Sequence, residues 1–220
     1  MNETGDYQHI LWDWNGTLLN DVELCAELLN VLLRRHGLPL VTLETYRETI
    51  GFPIEDYYLR LGFDFSRTPF EKLGDEFMTL YRARWRGCGL QPGVREALAA
   101  LDDLGLPQSI LSATQMGLLR DGVAHFGIDG RFRELAALDN LYAAGKLEIG
   151  RRLVERLSVP PDRVLLIGDT LHDHEVAAAL GIDCWLLTCG HHSRSMLEPT
   201  GAPLLESISE ASARLDGPSA

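Results

Sequence analysis

After a polar start the chain enters the apolar run His9-Ile10-Leu11-Trp12, which breaks at Asp13 into Asn15-Gly16. A short apolar run stopped by turn formers is how a buried strand ends in a loop. From Val22 the period changes. Val22, Cys25, Leu28, Leu29, Leu32 and Leu33 recur at spacings of three, four and seven, predicting an amphipathic helix that stops near Gly37 and Pro39. Asn20, three positions ahead of Glu23, predicts a capping box at its start. Helical segments follow at roughly 43–50, 54–61 and 69–86, punctuated by Gly51, Pro53, Gly62 and Pro69, and no strand is expected between 20 and 88.

Beyond Pro92-Gly93 the pattern alternates. A helix is expected from Val94 to Leu104, a short strand at Ser109-Ile110-Leu111, a helix at about 116–126 and a weak strand at 135–138. A helix at 147–157 precedes Arg163-Val164-Leu165-Leu166-Ile167, the clearest buried strand, which stops at Gly168-Asp169. A helix at about 173–180 and a strand at 184–187 complete the series. Strands alternating with helices predict an α/β fold with a parallel sheet covered on both faces, and ligands in such folds sit off the carboxyl ends of the strands. The helical block interrupts the sheet after its first strand. The expected organisation is a core of residues 1–18 and 90–220 with an all-helical cap over 19–89.

Composition narrows the partners. The 220 residues include 32 acidic and 20 basic side chains, a formal net charge of −12 with no basic run, which argues against nucleic acid as a partner. A small phosphorylated ligand remains compatible, because a local site can hold it. No stretch is long and apolar enough for a transmembrane helix, and the start has no leader pattern, so no membrane association and a cytoplasmic protein are expected. Cys25, Cys88, Cys184 and Cys189 form no CxxC pair and are expected as reduced, mostly buried thiols. Oligomeric state is not readable. Of the 20 basic residues, 18 are arginine; the lysines are Lys72 and Lys146.

Four features fall at the strand ends this topology gathers: Asp13 to Leu18, Ser112, Lys146 after Gly145, and Gly168 to Asp173. These residue types suit phosphoryl transfer. A carboxylate can attack phosphorus as a nucleophile, and carboxylates hold Mg²⁺ together with substrate oxygens. A hydroxyl and an ammonium can offset charge on the transferring group. Three carboxylates, Asp13, Asp169 and Asp173, carry −3, which Lys146 and Mg²⁺ together balance.

On these motifs the chain resembles the haloacid-dehalogenase-like superfamily, in the branch with a helical cap that includes the phosphoglycolate phosphatases. The resemblance implies a Rossmann-like core, Asp13 as nucleophile, and Mg²⁺ held by Asp13, Asp169 and the Asn15 main-chain carbonyl, with Asp173 behind them. It implies that Gly16, Thr17, Ser112, Ala113 and Lys146 surround the phosphoryl group. In the cap, Arg47, Gly51 and Phe52 correspond to the loop that faces the substrate, although an exposed helix-end arginine is an equal reading of Arg47.

One position departs from the family. Its phosphatases carry aspartate two residues after the nucleophile, and here that residue is Asn15. An amide can neither protonate a leaving group nor activate water, help that is worth about 10²–10⁴ in rate. Three readings are open. His172, His174 or a cap residue supplies the proton; the substrate has a good leaving group; or the protein binds a phosphorylated ligand and metal with little turnover. His172, His174, His191 and His192 are expected at the surface rather than as zinc ligands, because i,i+2 side chains do not share a helix face. Lys72 is expected to be a solvated surface residue rather than a Schiff-base lysine.

Overall fold

The structure, a computed structural model, describes residues 7–139 and 145–217, so the outermost limits expected for the core lie outside the described residues. In chain order the elements are β1 (His9–Trp12), β2 (Leu19–Asn20), α1 (Val22–Arg35), α2 (Leu43–Thr49), α3 (Ile54–Arg60) and α4 (Phe70–Arg84). Then come β3 (Gly89–Leu90), α5 (Val94–Asp103), β4 (Gln108–Gln115), α6 (Met116–His125), β5 (Glu134–Leu138) and α7 (Lys146–Leu157). The last are β6 (Val164–Gly168), α8 (Leu171–Leu180), β7 (Asp183–Leu187), α9 (Arg194–Leu197), β8 (Leu204–Leu205) and α10 (Ile208–Leu215).

Six strands form one parallel sheet in the order β5-β4-β1-β6-β7-β8. The side chains of β1 alternate between two cores. Ile10 and Trp12 join α5, α6 and α10 on one face, while Leu11 meets α7 and α8 on the other. β6 is buried throughout, as a strand covered on both faces requires. The α/β fold with helices on both faces is therefore the expected one. Trp12 pairs with Ile167, so Asp13 leaves the sheet beside Gly168 and Asp169.

Helices α1 to α4 enclose a separate apolar cluster that includes Leu28, Leu32, Leu33, Tyr57 and Leu73. The chain enters and leaves this bundle side by side. Leu19 pairs with Leu90 and Asn20 with Gly89, an antiparallel ribbon absent from the sequence expectations.

Other departures are local. The capping box expected at Asn20 and Glu23 is not formed: Asp21 is the N-cap of α1, with no side-chain capping bond, because its carboxylate is drawn elsewhere. β4 continues through Ser112 to Gln115, with a register shift after Leu111. α7 and α8 begin slightly earlier than expected, at Lys146 and Leu171.

Candidate active site

The ends of β1 and β6 bring Asp13, Asp169 and Asp173 together, each buried, with one carboxylate oxygen from each within 4.8 Å of the others. Asp173 is the third residue of α8. Its Oδ2 accepts from the Thr170 backbone N–H at 3.0 Å and from the Thr170 hydroxyl at 2.6 Å, while its own N–H reaches that hydroxyl at 3.2 Å. That reciprocal capping box fixes the carboxylate at the helix start. Lys146 opens α7 and is 3% exposed; its Nζ donates to both Asp13 and Asp173.

Two glycines shape the seat of Asp169. Gly16 has φ +77°, and a Cβ there would stand 2.3 Å from Asp169 Oδ2. A Cβ on Gly190 would stand 2.2 Å from the same oxygen. Only glycine allows so close an approach, and only glycine adopts that φ without strain. Asp169 accepts from the Thr17 hydroxyl at 2.7 Å and from the His191 backbone N–H at 2.6 Å.

Electrostatically the cluster is under-compensated. Burial pushes the Asp13 carboxyl up to about 8 against the pull of Lys146, and pushes Asp169 up to about 6. Burial also opposes Asp173, but Lys146 and Thr170 hold it below the usual range. With all three ionised, −3 and +1 leave a formal −2. Hard carboxylate oxygens at this spacing suit a divalent cation such as Mg²⁺, so the donor set fits the metal that the resemblance implies.

The α1–α4 side of the pocket holds a second buried network. Asn15 Nδ2 donates to Asp21 Oδ2 at 2.7 Å and to the Tyr81 hydroxyl at 2.8 Å, and Tyr81 donates to the same carboxylate oxygen at 2.7 Å. Gly16 N–H reaches Asp21 Oδ1 at 2.9 Å. His191 Nε2 lies 3.4 Å from Asp21 Oδ1, and its Nδ1 pairs with the Tyr46 hydroxyl at 2.9 Å. Burial opposes the charge on His191, but Asp21 raises its pKa to about 9; burial likewise opposes Asp21, which His191 holds low.

Asp13, Asn15, Phe52, Ala113, Lys146, His172 and Asp173 all line one cavity of about 230 Å³. Gly16 packs against Asp169 and the Thr17 hydroxyl donates to it. Ser112 is buried, and its Oγ accepts from Thr114 N–H at 3.1 Å. Arg47 is turned away from the cavity: its guanidinium donates to the carbonyls of Thr188, Gly190 and His192, binding α2 to the loop after β7. Gly51 lies in the loop between α2 and α3 beside Phe52, whose ring stacks on His172 at 5.3 Å. Lys72 is exposed, as expected.

Sequence reasoning missed Asp21, Tyr81 and His191. His191 and His192 are buried at 8% and 1% exposure rather than at the surface, because the loop that carries them folds under α2. The one available signal was a polar Asp21 just ahead of an apolar helix, which reads equally well as a cap. The four cysteines are free, with Cys25 and Cys184 buried.

The sheet order and the carboxylate cluster at its carboxyl edge define a hydrolase of the haloacid dehalogenase-like family. The chain belongs to that family, whose model matches residues 10–187. Among curated relatives, the tyrosine-protein kinase PtkA of Mycobacterium tuberculosis is 23% identical over 90% of this chain and 68% of its own length. The 5'-nucleotidase of Pseudomonas aeruginosa is 28% identical over 81% of each chain, and a phosphoglycolate phosphatase of Pseudomonas syringae is 24% identical over 90% of this chain and 76% of its own. In structure, the haloacid dehalogenase-like protein SP0104 of Streptococcus pneumoniae superposes with a TM-score of 0.82 at 18% identity, covering 94% of this chain and 98% of that one.

Proposed function

We propose that this hydrolase is a Mg²⁺-dependent phosphohydrolase of a small phosphorylated metabolite, working through a phosphoryl group on Asp13. The observation that carries this reading is the buried Asp13 carboxylate held against Lys146 beside two further carboxylates. The metal would be held by Asp13, Asp169 and the Asn15 carbonyl. When bound, it supplies positive charge facing the phosphoryl oxygens.

Asp13 attacks phosphorus, the bond to the leaving group breaks, and the leaving oxygen departs with the electron pair. Water then attacks the phosphorus of the acyl phosphate, yielding inorganic phosphate and restoring the Asp13 carboxylate. Lys146 orients the nucleophile through its bond to Asp13 and offsets charge on the transferring group.

The Asn15 amide is committed to Asp21 and Tyr81, so it offers no proton. The substrate that suits such a site is one with a good leaving group, such as an acyl phosphate. With acetyl phosphate and Mg²⁺, wild type should turn over and Asp13→Asn should not. Asn15→Asp places a carboxylic group against Asp21, where the two share a proton. That variant should raise turnover of ordinary phosphomonoesters by about 10² or more. No Mg²⁺-dependent turnover by wild type on any activated phosphate, with tight phosphate binding retained, would contradict the reading in favour of a binding protein.

A further inference from the structure

The cap contains more space than a phosphoryl group needs. A cavity of about 470 Å³ lies among α1, α2, α3 and α4, and it shares Cys25, Tyr46, Ile50, Phe77 and Met78 with the 230 Å³ active-site cavity. The smaller space suits a phosphoryl group and a few atoms. The larger is on the scale, roughly 300–1,000 Å³, that holds a drug-sized body.

Its walls are mostly apolar. Leu29, Ile54, Tyr57, Tyr58 and Phe70 supply the deep surface. The Tyr46 hydroxyl pairs with His191 Nδ1 and that of Tyr57 lies 3.5 Å from Thr49 Oγ1, so these two lining residues already have polar partners for their hydroxyls. The carboxylates in its lining belong to Glu71 and Asp75, which disfavours a second anionic group on the ligand.

A glycine adds to the room in the cavity. Along α4, Phe70, Gly74 and Met78 follow at intervals of four and line it together, with Gly74 at the centre of that stripe. A Cβ added to Gly74 would meet no heavy atom within 4 Å. Glycine in a helix interior is a poor helix former, and here what it preserves is room.

We propose that the cap cavity receives the body carried on the leaving oxygen of the substrate, and that this body is apolar, bears no further charge and is of at least aromatic size. The inference rests on the phosphohydrolase reading for its chemistry, whereas the cavity itself is tested by binding. Benzoyl phosphate and acetyl phosphate share the same mixed-anhydride chemistry and differ by one apolar ring. Wild type should prefer the benzoyl compound in kcat/KM by about tenfold or more, since even single methylenes are resolved in apolar pockets. Gly74→Leu fills the cavity and favours the helix, so it should stay folded and lose that preference; Gly74→Ala should fall between.

If wild type hydrolyses neither anhydride, the phosphohydrolase reading fails and binding decides the cavity. Calorimetry should then show (2-naphthylmethyl)phosphonate binding wild type about tenfold or more tightly than methylphosphonate, with the difference lost in Gly74→Leu. Equal handling of the small and the apolar ligand would overturn the inference. So would a preference that survives in a Gly74→Leu protein whose melting curve shows it folded.

Discussion

Lys146 is a buried cation with two anionic partners, a place that suits a compact ammonium better than a planar guanidinium. In a chain where 18 of 20 basic residues are arginine, its being lysine reflects that geometry. Burial works against its charge, but Asp13 and Asp173 hold its pKa above the ordinary lysine value. Lys146→Met should therefore cost about 3–5 kcal/mol in a chelator, since it leaves buried carboxylates uncompensated. Mg²⁺ should recover more stability in the variant than in wild type. Urea unfolding with and without the metal reads both effects, and a variant as stable as wild type in the chelator would contradict the electrostatic account. At this scale Asp13, Asp169, Asp173 and Lys146 were legible because motif spacing tied each to a strand or helix end. The partners of Asn15 were not. Asp21 sits at the N-cap position of α1 and gives no separate signal in the sequence, and Tyr81 and His191 reach it from distant elements without any periodic signal.

Among the elements, β1 carries an unusual resident. His9 is fully buried in it, with Nε2 2.9 Å from the Ser109 hydroxyl and Nδ1 without a partner. Burial lowers its pKa from 6.5 to about 4. The sign follows directly: below 6.5 the unfolded chain takes up a proton that the native strand refuses until about 4. Stability should thus fall with acidification through that window, by up to about 1.4 kcal/mol per pH unit from this group. His9→Gln should show a shallower acid loss than wild type in urea titrations at pH 7.5 and 5.5; identical slopes would remove His9 as the cause. The apolar runs of β1 and β6 are plain in the sequence. β2, β3 and β8, of two residues each, are too short to show a period. Ile208, Ala211 and Leu215 follow the helical period along α10 and are its buried residues. α8 starts ahead of the expected 173 because its first turn, Leu171-His172-Asp173, is chemically a site loop as well as a helix start.

For the whole molecule, the α/β core with an interrupting helical segment followed from the change of hydrophobic period near residue 20 and its return near 90. How the two parts meet did not. Arg47 binds three core carbonyls, Tyr46 pairs with His191, and Phe52 stacks on His172, so α2 and its loop close the site through contacts that no local pattern encodes. Tyr46, Tyr57 and Tyr58 are core residues of the α1–α4 cluster and also line the cavity, the second role depending on space rather than on spacing. Among the described residues no helix is long and apolar enough to cross a membrane. The central claim is that hydrolysis passes through Asp13. Wild type mixed with acetyl phosphate and Mg²⁺, quenched in acid and digested, should carry one added phosphoryl group on the peptide containing Asp13. The adduct should be long-lived in wild type, because Asn15 cannot activate water, short-lived in Asn15→Asp, and absent in Asp13→Asn. Hydrolysis proceeding with no adduct on that peptide in any quench, or an adduct that persists in Asp13→Asn, would contradict the account.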